Sequence, residues 1–152
     1  MAPETVSPWR PNPPQANPWE RWLVRWLRFQ AVVMGLALLA VFMPGRFMES
    51  ISAALGVGPY VPGPLTDYLT RSLSALYALM GSVNWVTSRD PQRYAGVITY
   101  MGAAAVVLAG VLLGIDLTAG MPLSWTVGDV LGPATGGCLT LWLQRKARKY
   151  EP

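Results

Sequence analysis

"AGVITYMGAAAVVLAGVLLGI", residues 95 to 115, is 21 residues long and carries no charged side chain. At 1.5 Å per residue such a helix is about 30 Å long, the thickness of a bilayer's hydrocarbon core. The stretch reads as a membrane-crossing helix. How many others accompany it decides the fold.

Working outward, a short polar turn with Arg89, Asp90 and Arg93 separates it from an apolar run at Leu65–Val86. Further back, Trp22–Met43 contains the uncharged core "FQAVVMGLALLAVFM". On the other side, Leu123–Leu143 is apolar but holds Asp129, Pro133 and several glycines. Each run is long enough to cross. The pattern predicts an all-α membrane protein, four transmembrane helices in one up-down-up-down bundle. Residues 1–17 form a proline-rich tail, 18–144 the membrane domain and 145–152 a basic tail.

Composition agrees. Of 152 residues 52% are hydrophobic and only 13% charged, with mean hydropathy +0.31. Soluble domains carry about 25% charged residues. The charges here gather at the two termini and around 89–93. Histidine is absent and Cys138 is the single cysteine. Imidazole metal sites, His-ligated haem, a His general base, internal disulfides and thiolate clusters are therefore not expected. No cofactor and no metal site are read from the chain, and Cys138 reads as a small packing residue.

Basic residues set the orientation. Arg10, Arg21, Arg25 and Arg28 precede the first span, Arg89 and Arg93 lie between the second and third, and Arg145, Lys146, Arg148 and Lys149 follow the fourth. The opposite side has only Arg46 and Arg71. Both termini are expected in the cytoplasm, with the first run retained as an anchor. Trp19, Trp22, Trp26, Trp85 and Trp142 would mark the inner lipid boundary and Trp125 the outer. Arg21, Arg25, Arg28, Arg145, Lys146, Arg148 and Lys149 are the expected contacts to anionic lipid head groups. Lipid, rather than nucleic acid, is the expected partner of these charges, because they adjoin spans.

Before the first span, "NPWE" predicts a helix start, with Asn17 as N-cap, Pro18 first in the helix and Glu20 third. After it, Phe47, Met48, Ile51 and Leu55 predict a short amphipathic helix on the outer surface.

The second span keeps Asp67, Arg71 and Asn84. On a helix Thr70, Ser74, Tyr77, Gly81, Asn84 and Ser88 form one polar and small stripe, opposed by Leu69, Leu73, Leu76, Met80 and Val83. One face is for protein and one for lipid. Asp67, Arg71, Asp116 and Asp129 would share one depth in the outer half of the membrane, as a charge network. It is either structural, pinning helix register, or a proton or cation site. Ser74 and Ala78, Gly110 and Gly114, and Gly128, Gly132 and Gly136 are the expected close-packing positions, by their small-xxx-small spacing. Pro133 is expected to kink or loosen the fourth helix.

The stretch "PLTDYLTRSLSALYALMGSVNWVTSRDPQRY", followed by "LLGIDLTAGMPLSW", resembles a family of small multi-pass bacterial inner-membrane proteins with no assigned activity. The resemblance spans roughly Phe29 to Trp125, including Arg71, Tyr77, Arg89, Asp90, Tyr94 and Asp116. It implies the bacterial inner membrane and carries over no catalytic residue. The long proline-rich N-terminus and the glycine-rich fourth span depart from the family pattern.

Two functions follow as expectations. The first is a non-enzymatic membrane protein acting through helix contacts, as an accessory or assembly subunit of a larger complex, or a homo-oligomer. The second is a small oligomeric transporter or proton-coupled protein using the outer Arg/Asp cluster. A lipid-modifying enzyme is a distant third, for want of a catalytic constellation.

Overall fold

The computed structural model describes residues 17–54 and 63–149, and nearly all of them are helical. The proline-rich stretch 1–16, residues 55–62, with Leu55 of the expected amphipathic helix, and residues 150–152 lie outside the described residues. The helices are α1 (Pro18–Val41), α2 (Gly45–Ala54), α3 (Pro64–Thr87), α4 (Ala95–Ala119) and α5 (Leu123–Lys149).

Local chemistry fixes most boundaries. The Asn17 side chain accepts the backbone N–H of Trp19 at 3.0 Å, and Pro18, with no N–H of its own to leave unpaired, opens α1. Gly120 closes α4 at φ 67°, a left-handed turn natural only to glycine. Its N–H and that of Met121 both return to the Asp116 carbonyl, Met121 at 3.0 Å. α5 runs straight on from the fourth apolar run through "QRKARK" to Lys149, so residues 145–149 are not a separate tail. These are good helix formers, and their positive charges favour the negative end of the helix dipole. α5 also continues through Pro133, which removes the N–H that would have met the Asp129 carbonyl. α2 buries Met48 and leaves Phe47 and Ile51 exposed.

The long helices associate as two antiparallel pairs, α1 with α3 and α4 with α5, joined across α1 and α5. α3 and α4, though linked by a short turn, barely touch. The short turn therefore does not make α3 and α4 packed neighbours. The reason lies in the faces: α3 buries Ser74, Gly81, Asn84 and Thr87, and its counterpart is α1. α4 buries Ile98, Gly102, Ala109 and Asp116, a 4-7-7 line that faces α5.

α1 and α4 are each long and apolar enough to cross a membrane. Only 11% and 17% of their most apolar windows are buried, so neither is the core helix of a globular domain. α3 matches α1 in length but carries Asp67, Arg71 and Asn84, and α5 carries Asp129 and a basic last turn, so neither is as apolar.

The interior is narrow. Leu23, Leu27, Ile98 and Leu143 form the hydrophobic core, with Trp19, Trp26 and Tyr94 against it. Elsewhere in the long helices the buried positions are small or polar, while Leu36, Leu39, Phe42, Leu69, Leu73, Leu76 and Leu117 are more than half exposed. Away from the core cluster, the long helices turn apolar side chains outward and small or polar ones inward.

Candidate functional site at the two ends of the molecule

One end gathers the start of α1, the end of α3, the start of α4 and the end of α5. Gln92 in the α3–α4 turn donates to Glu20 of α1 at 3.3 Å, and Asn17 donates to the Ala147 carbonyl of α5 at 2.8 Å. The opposite end gathers the end of α1, the start of α3, the end of α4 and the start of α5.

At the second end, Asp116 is 4% exposed and its Oδ2 has no hydrogen-bond partner among the described residues. Asp129 lies within electrostatic reach of Asp116, and the Tyr77 hydroxyl within reach of Asp129. Arg71 is used otherwise: its Nη1 donates to the Val41 carbonyl at 2.9 Å. Val41 ends α1, and its carbonyl is one of those a helix leaves without an internal donor. A guanidinium there also meets the negative end of the dipole. Asp67 sits in the first turn of α3, the place where an acid is favoured. Of the four charged residues expected together, Asp116 and Asp129 lie within electrostatic reach of each other, and the hydrogen bond of Arg71 ties α3 to α1. Among the described residues no three acidic or cysteine side chains cluster as a metal site.

Close helix approach falls at Gly137 and Gly81 and, of the expected glycines, at Gly136. A Cβ on Gly137 would lie 2.5 Å from the Gly102 carbonyl and 3.1 Å from the Val106 nitrogen. One on Gly81 would lie 2.9 Å from the Ala31 carbonyl and 3.0 Å from the Gly35 nitrogen. At Gly136 it would meet Gln30 Nε2 at 2.8 Å, so this position does lie in an interface. Gly110, Gly114, Gly128 and Gly132 meet nothing within 4 Å. Spacing alone gives a line of small residues but not which way it points. Gly110 follows buried Ala109, and each residue turns the helix by about 100°, carrying it off the packed line. Ser74 is buried and Ala78 half-buried, on the face turned to α1.

The first end holds a polar layer that composition gave little sign of. Trp26 Nε1 donates to Thr140 Oγ1 at 3.0 Å, and Thr140 donates to the Gly136 carbonyl at 2.7 Å. Buried Gln144 donates to the Ala95 carbonyl and accepts from Thr99 Oγ1 at 2.9 Å. The available signal was the i, i+4 pairs Trp26/Gln30 and Thr140/Gln144, set in otherwise apolar helices.

Around this layer lie the cations. Arg21, Arg25, Arg28, Arg145, Lys146, Arg148 and Lys149 are all exposed. Arg25 lies over Trp22 at 5.3 Å, Arg28 over Trp85 at 5.9 Å and Lys146 over Trp19 at 5.7 Å. Arg148 Nη2 donates to Thr99 Oγ1 at 3.4 Å. Trp19 and Trp142 meet edge to face at 5.4 Å, and Trp26 stacks on Phe29 at 5.6 Å. Indoles under cations, all at one end, make a belt suited to a lipid–water boundary. Between α1 and α5 this belt encloses an open apolar groove of about 580 Å³, which Trp26, Phe29, Leu139 and Trp142 help to line.

No family model, curated protein or solved structure matches the chain.

Proposed function

We propose that this is a non-enzymatic integral membrane protein with four spans, working through helix contacts as an accessory or assembly subunit of a larger complex. The observation that carries it is the inverted distribution of side chains. Small and polar residues fill the helix interfaces while leucines face outward along every long helix. Fully burying one such side chain is worth about 1.5–3 kcal/mol. The exposed leucines of α1, α3 and α4 together therefore call for lipid or a partner, not water.

The arrangement of ends supports four spans rather than two. α1 and α4, the most apolar helices, start at the same end of the molecule. If both cross in one direction, the chain must return between them, and α3 is the helix available. At 24 residues it is about 36 Å long. α5 returns the chain a second time. The basic end is then cytoplasmic by the positive-inside rule, with both termini there. The bacterial inner membrane rests on that charge bias and on the family resemblance. Gly110, Gly114, Gly128 and Gly132 leave close-approach positions on the outward side of α4 and α5, which suits a second protein.

Gentle extraction from native membranes, followed by size analysis and mass spectrometry, tests this. Stoichiometric recovery with a larger assembly is the expected result. Recovery as a lone homo-oligomer removes the subunit reading. A second reading, a proton- or cation-coupled function at Asp116 and Asp129 with Asp67 and Arg71, is favoured by Asp116 Oδ2, which has no hydrogen-bond partner among the described residues. A transport assay on Asp116→Asn, with folded protein confirmed, separates the two.

A further inference from the structure

We infer that the groove between the start of α1 and the end of α5 is a site for one anionic phospholipid, selected by its head group. This deepens the membrane reading and rests on it. The groove holds about 580 Å³, within the 300–1,000 Å³ usual for small-molecule sites. Its walls are aromatic and aliphatic from Trp19 down to Phe29, ten residues or about 15 Å along α1. That is the shape of a site for an acyl chain. The indole N–H of Trp26 is already bonded to Thr140, so this ring offers the groove only its apolar surface.

Charge names the head group. Among the described residues Arg25 is the one charged residue lining the groove, and its guanidinium lies over Trp22, toward the basic end of α1. Lys146 comes from α5 and lies over Trp19, another lining residue. Two cations from the two walls thus hang at the end of the groove that faces the water boundary, held there by the indoles that line it. Among the described residues no carboxylate lines the groove. A phosphodiester there meets both charges while its acyl chain follows Trp26, Phe29 and Leu139. A zwitterionic head group would bring an ammonium against the same two cations.

Tryptophan fluorescence reads this directly. The full chain, with Trp9, Trp85 and Trp125 changed to Phe, reports from the groove alone. It is reconstituted into phosphatidylcholine vesicles containing either brominated phosphatidylglycerol or brominated phosphatidylcholine as quencher. We expect stronger quenching by the anionic lipid. In the Arg25→Gln/Lys146→Gln variant its relative affinity over phosphatidylcholine should fall by about fivefold for each cation removed. Quenching by phosphatidylcholine should stay at the parent level, which shows that the variant is still seated in the bilayer. Equal quenching by the two lipids in the parent overturns the site and leaves the membrane reading standing. A preference that survives the double substitution overturns the assignment to Arg25 and Lys146. Quenching by neither lipid overturns the membrane reading itself.

Discussion

At the scale of single residues, the glycines divide sharply. A methyl at Gly137 meets backbone atoms of α4 at 2.5 and 3.1 Å, and backbone cannot turn aside as a side chain can. Gly137→Ala should destabilise the fold by about 1–3 kcal/mol, seen as a lower Tm in mild detergent. Gly128→Ala, in open space on the same helix, should be neutral or stabilising by up to about 1 kcal/mol, since Ala is the better helix former. Equal losses at both positions would mean that α5 packs on another face. The acids give a second test. Asp116→Asn replaces a buried oxygen that lacks a donor among the described residues and removes a buried negative charge. We expect the Tm to rise, by the equivalent of about 1 kcal/mol. A fall would mean that a proton or bound cation already satisfies the carboxylate. Sequence and structure compare instructively here. The residue types at the acid end were legible, because charges within apolar runs stand out. Their partners were not: Arg71 reaches the end of α1, a bond set by how two helices cross and not by the spacing of Asp67 and Arg71.

At the scale of elements, every long helix was legible from its apolar run, and α2 from its amphipathic pattern. What stayed hidden was the pairing. A short turn between α3 and α4 reads as two packed neighbours, yet the buried face of α3 is the one that matches α1. Gly81 sets its backbone into α1 near Ala31 and Gly35, and Asn84 Nδ2 meets Met34 Sδ at 3.6 Å. Such complementarity depends on three-dimensional shape and leaves little trace in periodicity. It does make α3 testable as a two-faced element. Ser74 is 9% exposed and Leu73, its neighbour, 53%. Ser74→Leu forces extra volume into the α1–α3 contact and should cost about 1–3 kcal/mol. Leu73→Met conserves volume on the outward face and should leave the thermal unfolding midpoint where it is. The reverse ranking would place the protein face of α3 on its leucines, and with it a different helix order.

At the scale of the whole molecule, the choice between four crossings and two is a question of sidedness, and chemistry can read it. Cys138 is the sole cysteine, so a Cys138→Ala background accepts single thiols at will. Arg89, in the α3–α4 turn, and Thr118, near the end of α4, are both exposed. With four crossings and a cytoplasmic N-terminus, Arg89→Cys faces the cytoplasm and Thr118→Cys the outside. With only α1 and α4 crossing, α3 lies outside, so the two thiols exchange sides. A charged, impermeant maleimide applied to intact cells should therefore label Thr118→Cys and spare Arg89→Cys. The opposite pattern would leave α3 and α5 outside the bilayer and remove the lipid face argued for α3. The natural Cys138 supplies an internal check. It is exposed on α5, 15 residues or about 22 Å from the start of the helix, a depth that places it in hydrocarbon if α5 crosses. In the unaltered chain this thiol should then resist the charged maleimide from either side of the membrane and react once detergent admits water. Labelling of Cys138 in sealed membranes would mean that water reaches the outer face of α5. A partner surface or an aqueous path, and not acyl chains, would then cover the open glycines Gly128 and Gly132 on the same helix.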